Sequence, residues 1–75
     1  MKLYEILDRA SNAVLTATEY SNQAKAKYET ELDDANMRGD EEEAGKLDDL
    51  VGQIDDVLLD LSNALDNIEA LKGEL

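Results

Sequence analysis

Apolar residues in the second half of the chain recur at helical spacing. Leu47, Leu50, Ile54, Val57, Leu61, Ala64, Ile68, Leu71 and Leu75 step by three and four in alternation, as do the a and d positions of a heptad repeat. Val51, Leu58 and Leu65 add a stripe at spacing seven, the e position. A face made of a, d and e rows is wider than the seam of a two-stranded coil and suits a multi-helix bundle. The first half carries a seam of smaller side chains: Leu3, Leu7, Ala10, Val14, Ala17, Ser21, Ala24 and Tyr28, then Leu32 and Ala35 after a drift in phase. Such a seam lets helices approach closely but buries little area per residue. Ile6, Ala13, Leu15 and Tyr20 lie to its sides.

One break separates the halves, at Asn36-Met37-Arg38-Gly39-Asp40. Gly39 suits the left-handed residue that ends a helix, and Asp40 suits the N-cap of the next one. Glu43 follows at capping-box spacing, and Glu41 and Glu42 favour the positive end of a helix dipole. A calcium loop of the EF-hand kind would place Asp34, Asn36 and Gly39 at its first, third and sixth positions. It fails because Arg38 and Gly45 fall where oxygen ligands are required. Arg38 is expected in solvent at the helix end, with Asp40 as its other available partner.

The pattern therefore predicts one domain over residues 1–75, with a helix at about 3–37, a turn at 38–40 and a helix at about 41–72. Each helix is roughly 50 Å long at 1.5 Å per residue. Folded at Gly39, the two make an all-α, two-helix antiparallel hairpin with a single interface and no enclosed core. So much apolar surface is expected to be covered, and the simplest symmetric cover is a second hairpin. The expected assembly is a four-helix bundle homodimer, with Leu47, Leu50, Ile54, Val57, Leu58, Leu61, Leu65, Ile68 and Leu71 at the oligomer interface.

Composition narrows the chemistry. With neither Cys nor His among the 75 residues, thiolate or imidazole nucleophiles, bases and metal ligands are excluded. No catalytic residues, metal ligands or cofactor motif are expected, so the reading is a binding protein and not an enzyme. Seven basic residues against nineteen acidic ones give a net charge of −12. That opposes direct contact with nucleic acid or an anionic membrane. No apolar run approaches the ~20 residues of a membrane span and no signal-peptide core is visible. The expected location is the cytoplasm, or the host cytoplasm if the chain is phage-encoded.

The charge is uneven. Residues 1–39 hold five bases and seven acids, net −2, while residues 40–75 hold two bases and twelve acids, net −10. Opposite the apolar face of the second helix stand Asp48, Asp49, Asp55, Asp56, Asp60, Asp66 and Glu69. Asp is a poorer helix former than Glu by a few tenths of a kcal/mol, and a surface needing only solubility is better served by Glu with Lys at i,i+4. Short Asp side chains hold charge close to the backbone, in pairs every ~10.5 Å along the axis. Three readings follow for these rows: a solvated outer face, a mimic of nucleic acid that occupies a basic groove on a partner protein, and a surface for docking on an assembly. The second is the expected function. The alternative is a structural or assembly adaptor acting through apolar helix–helix contacts. Tyr4, Tyr20 and Tyr28 are read as packing residues. Gly45, Gly52 and Gly73 fall on the outer face and weaken the helix.

Two resemblances bear on these readings. Met1-Lys2-Leu3-Tyr4-Glu5-Ile6 resembles the start of short siphophage helical proteins associated with phage resistance in dairy streptococci. Ala64-Leu65-Asp66-Asn67-Ile68-Glu69-Ala70-Leu71-Lys72 resembles the coiled-coil segment of the same family. Together they cover about a fifth of the chain, and they imply a phage or prophage accessory protein. No functional residue is carried over, and the family's members are usually longer and richer in Lys. Glu43-Ala44-Gly45-Lys46, Gln53-Ile54-Asp55-Asp56 and Val57-Leu58-Leu59-Asp60 look similar to the magnesium motifs of all-helical nucleotide pyrophosphohydrolases. Lys46 and Gln53 replace two of the four carboxylates, and both motifs fall on one uninterrupted heptad pattern. Without a turn between them the oxygens do not converge, so the implied catalysis is not expected.

Overall fold

The computed structural model describes all of residues 1–75, in two helices: α1, Leu3–Arg38, and α2, Glu41–Gly73. They fold back on each other as an antiparallel hairpin 55 Å long and 16 by 12 Å across. The chain is all-α, as the two hydrophobic periodicities predict.

The turn is closed by local chemistry. Gly39 has φ 72°, a left-handed conformation that a Cβ would strain. Its N–H donates to the Asn36 carbonyl, and the Asp40 N–H donates to the Ala35 carbonyl at 2.9 Å, the pair of bonds of a Schellman motif. The Asp40 carboxylate accepts from the Glu43 N–H at 3.1 Å and so caps α2. The return bond of a capping box is absent, because the Asp40 N–H is already used in closing α1. Arg38 pairs with Asp34 one turn back, at 3.1 Å, and not with Asp40.

Three side-chain links cross between the helices. The Lys72 ammonium donates to Asp8 at 3.1 Å, the Ser11 hydroxyl to Glu69 at 2.9 Å, and Lys25 meets Asp55 at 2.6 Å. The two residue numbers add to 80 in each, so the helices run in constant register along their length.

The helices meet through the expected a, d and e rows, with part of the d row at the edge. On α2, Leu47, Ile54, Leu61 and Ile68 are buried or half-buried, and so are Val51, Leu58, Leu65 and Lys72. These are the a and e rows, and Leu50 and Ala64 of the d row are half-buried beside them. The other two d residues, Val57 and Leu71, lie at the edge, 42% and 53% exposed. On α1 the expected seam of Leu7, Ala10, Val14, Ala17, Ser21, Ala24 and Tyr28 is half-buried, Leu3 is exposed, and Ser11, Thr18 and Lys25 of the e row turn inward with it. The inward e row of α1 brings Lys25 and Ser11 within reach of Asp55 and Glu69. Most of the residues expected at an oligomer interface, namely Leu47, Ile54, Leu58, Leu61, Leu65 and Ile68, thus face α1 within the hairpin. Leu50 is half-buried as well, and only Val57 and Leu71 are left exposed at the edge.

The core is thin. Only Ala35, Leu47 and Ser11 are buried, and no large side chain is fully enclosed. Of the tyrosines, Tyr28 alone is half-buried; Tyr20 is 66% exposed. Tyr4 is also largely exposed and lies under the Lys72 ammonium, 5.2 Å from its ring centroid, close enough for a cation–π attraction.

Candidate partner-binding surface

The heptad register places the paired acids of α2 on its b and c rows, side by side on the surface turned away from the seam. Asp48 and Asp55 are b, Asp49 and Asp56 are c, and all four are exposed. The same rows reach one heptad further toward the tip, to Glu41 and Glu42, which sequence reasoning assigned only to the helix dipole. The signal was present as the spacing of seven between Glu41-Glu42, Asp48-Asp49 and Asp55-Asp56. The array therefore spans about 22 Å of helix at 1.5 Å per residue. Gly45 and Gly52 stand between successive pairs. A Cβ at either would meet nothing within 4 Å, so the ridge drops to bare backbone there.

The acids divide by partnership. Asp48, Asp49, Asp56, Asp60 and Asp66 make no ion pair, nor do Glu41 and Glu43. Glu42 pairs loosely with Lys46 at 3.8 Å, Asp55 is held by Lys25, and Glu69 is shared between Ser11 and Lys72. Of the seven acids expected to bind a partner, Asp55 and Glu69 thus serve the hairpin itself. Asp60 and Asp66 are exposed but lie on other rows, g and f. The structure brings together Asp48, Asp49 and Asp56 with Glu41, and sets the others apart.

Two lysines record the local field. The hydrogen bond to Asp55, and then the charge of the same carboxylate, raise Lys25 above its ordinary 10.5. Lys72 is raised chiefly by its hydrogen bond to Asp8, with Glu69 adding to it against partial desolvation. A folded-state value raised above the unfolded one stabilises the fold fully below the ordinary lysine range, and that contribution disappears as pH rises through the raised value. Lys72→Met should therefore melt lower than the wild type at neutral pH. Thermal melts from about pH 9 to pH 12 should show that gap closing as Lys72 loses its proton. A gap that stays constant across the window would assign the loss to packing alone.

The hairpin has no enclosed pocket and no cluster of acidic side chains placed to hold a metal ion. The two stretches similar to magnesium motifs lie along the unbroken α2. No helix is long and apolar enough to cross a membrane. No family model, curated protein or solved structure matches the chain.

Proposed function

We propose that the chain is a small, non-catalytic protein-binding module of phage accessory or inhibitor type. In this reading its acidic α2 ridge occupies a basic, nucleic-acid-binding groove on a partner protein, and the chain acts as a homodimer. The observation that carries the reading is the run of three acid pairs at heptad spacing, four of whose six carboxylates have no cation beside them. A rigid helix presents them at fixed height, and the glycines between the pairs let a partner's side chains reach the backbone. Approach of a basic partner would be fast and steeply salt-dependent.

The test separates charge from shape. Glu41→Gln, Asp48→Asn, Asp49→Asn and Asp56→Asn together remove four charges while sparing Asp55 and Glu42, which hold Lys25 and Lys46. Circular dichroism should be unchanged. Proteins captured on the immobilised wild type should be released by duplex DNA or by high salt, and the quadruple variant should hold them at least tenfold more weakly. Exposed pairs are individually weak, so no single substitution should suffice. Capture that survives all four changes and high salt would reject the mimic in favour of an apolar adaptor.

A further inference from the structure

The two ends of the hairpin are packed differently. Near the tip both helices bring large side chains to the seam: Tyr28 and Leu32 from α1, and Leu47, Leu50, Val51 and Ile54 from α2. Ala35 and Leu47, two of the three buried residues, lie there. Toward the termini the match is lost. α2 still brings Leu58, Leu61, Leu65 and Ile68. From residue 7 to residue 25 the inward positions of α1 hold only Leu7 and Val14 as large apolar side chains; the others are alanine, serine or threonine, and Lys25. That stretch carries all three polar links between the helices.

The charges are mismatched as well. Residues 3–25 of α1 hold Arg9 and Lys25 against Glu5, Asp8 and Glu19, net −1. Residues 55–75 of α2 hold Lys72 against six acids, net −5. Four of the six flank the apolar stripe, Asp55 and Glu69 on the b row and Asp60 and Glu74 on the g row. α1 answers them with one cation, Lys25 at Asp55, and one hydroxyl, Ser11 at Glu69. An apolar stripe with acids on both flanks is the complement of an amphipathic helix that carries Lys or Arg at its e and g positions.

We infer that the first half of α1 is an exchangeable cover, and that α2 from Val57 to Leu71 receives a basic amphipathic helix of another protein in its place. The tip stays closed and acts as the hinge. α1 has the advantage of its tether, equivalent to a local concentration on the order of 1 mM. A partner helix present at micromolar concentration must therefore bind about a thousandfold better to displace it. Two gains supply that margin: large apolar side chains where α1 offers Ser11, Thr18 and Ser21, and cations for four carboxylates of which α1 neutralises one. A second copy supplies neither, since its α1 brings the same small side chains and its α2 the same acids. This exchange lies outside the proposed function, because the acidic ridge faces away from α1 and stays free in either form.

Opening controls the affinity. The open form is a minor population, and the apparent Kd is the intrinsic one divided by that population. Changes confined to α1 thus alter binding without touching the receiving surface. Asp8→Ala with Ser11→Ala removes both links at the terminal end. The pair should lower the melting temperature and yet tighten partner binding about fivefold. Thr18→Leu with Ser21→Leu fills the seam from the α1 side and should weaken binding about tenfold. A partner that docks from outside, with the hairpin closed, would respond to neither.

The probe is a synthetic peptide of about three heptads with Leu at a and d and Lys at e and g, whose like charges keep it from pairing with itself. Titrated into the full chain, it should bind with a micromolar Kd, and the same peptide with Glu in place of Lys about tenfold more weakly or less. Hydrogen exchange gives the location. In the complex, amides of residues 5–24 should exchange about tenfold faster, because a released helix of that length is marginal in water. Amides of residues 57–72 should exchange about tenfold more slowly, and those of residues 28–35 and 44–54 should keep their protection. Absence of binding, equal binding of the two peptides, α1 amides unchanged in the complex, or an Asp8→Ala/Ser11→Ala protein that binds no better would each overturn the exchange. If that variant loses its helicity, unweakened binding by the Thr18→Leu/Ser21→Leu protein overturns it instead. The quadruple acid variant spares all four flanking carboxylates and should bind the peptide as the wild type does, so failure of the ridge and failure of the exchange are read separately.

Discussion

Replacing Leu47 by Asp is expected to unfold most of the hairpin, while the same exchange at Leu59, further along the same helix, leaves it intact. Leu47 is 5% exposed, and it is the one large apolar side chain that the fold buries. In the register of the cross-helix links it lies level with Leu32, one turn from the buried Ala35. A carboxylate there has no cation to meet and must either lose its hydration or force the tip open, which costs about 3–5 kcal/mol. A chain of this length has only about 4–11 kcal/mol of stability in all. Leu59 is 60% exposed on the outer row, so Leu59→Asp should change stability by less than about 0.5 kcal/mol. Urea titrations followed by helicity give both values. Equal losses at the two positions would mean that α2 is rotated from the orientation described.

The glycines should respond in opposite directions. Gly45→Ala with Gly52→Ala is expected to stabilise the hairpin by about 2 kcal/mol, since each glycine costs a helix interior up to ~1 kcal/mol relative to Ala. Neither new methyl meets an atom within 4 Å. For a domain of this size the melting temperature should rise by about 8–16 °C. Gly39→Ala should instead lose about 1 kcal/mol, because φ 72° is strained for an L side chain even in open space. Calorimetry on the three positions separates a glycine required by the turn from glycines that the fold does not require. If the ridge binds as proposed, the stabilised Gly45→Ala/Gly52→Ala protein should also hold its partner less tightly. Unchanged affinity would remove close approach from the argument.

How much of this was legible in the sequence depended on the range of each interaction. The turn was readable because Gly39, Asp40 and Glu43 act within five residues of one another. The helices were readable because a period of three and four identifies an amphipathic face without reference to what covers it. The polar row of α1 in the seam was not readable. It rests on Lys25 reaching Asp55 and Ser11 reaching Glu69, partners thirty and fifty-eight residues apart. For the same reason Ser11, a polar residue missing from the expected seam, is 3% exposed. The paired spacing of the acids was legible, and the four central residues are exposed. Its start at Glu41 was overlooked because those residues already had an explanation as N-terminal charges of α2, and Asp55 and Glu69 were assigned outward before their cross-helix partners were known.

The constant register has a mechanical consequence. Met1 and Leu75 emerge at the same end of the hairpin, beside the links from Lys72 to Asp8 and from Ser11 to Glu69. Tension that draws the two ends apart falls first on that pair of links and the few apolar contacts beside them; once they yield, the next polar restraint is Lys25 with Asp55, fourteen residues further along α1. Such loading opens the helices from one end, a few contacts at a time. Tension between one end and the tip at Gly39 instead slides α1 along α2, so every link and the whole apolar seam bear it together. The same molecule is therefore weak as a zipper and strong as a strut, according to where it is held.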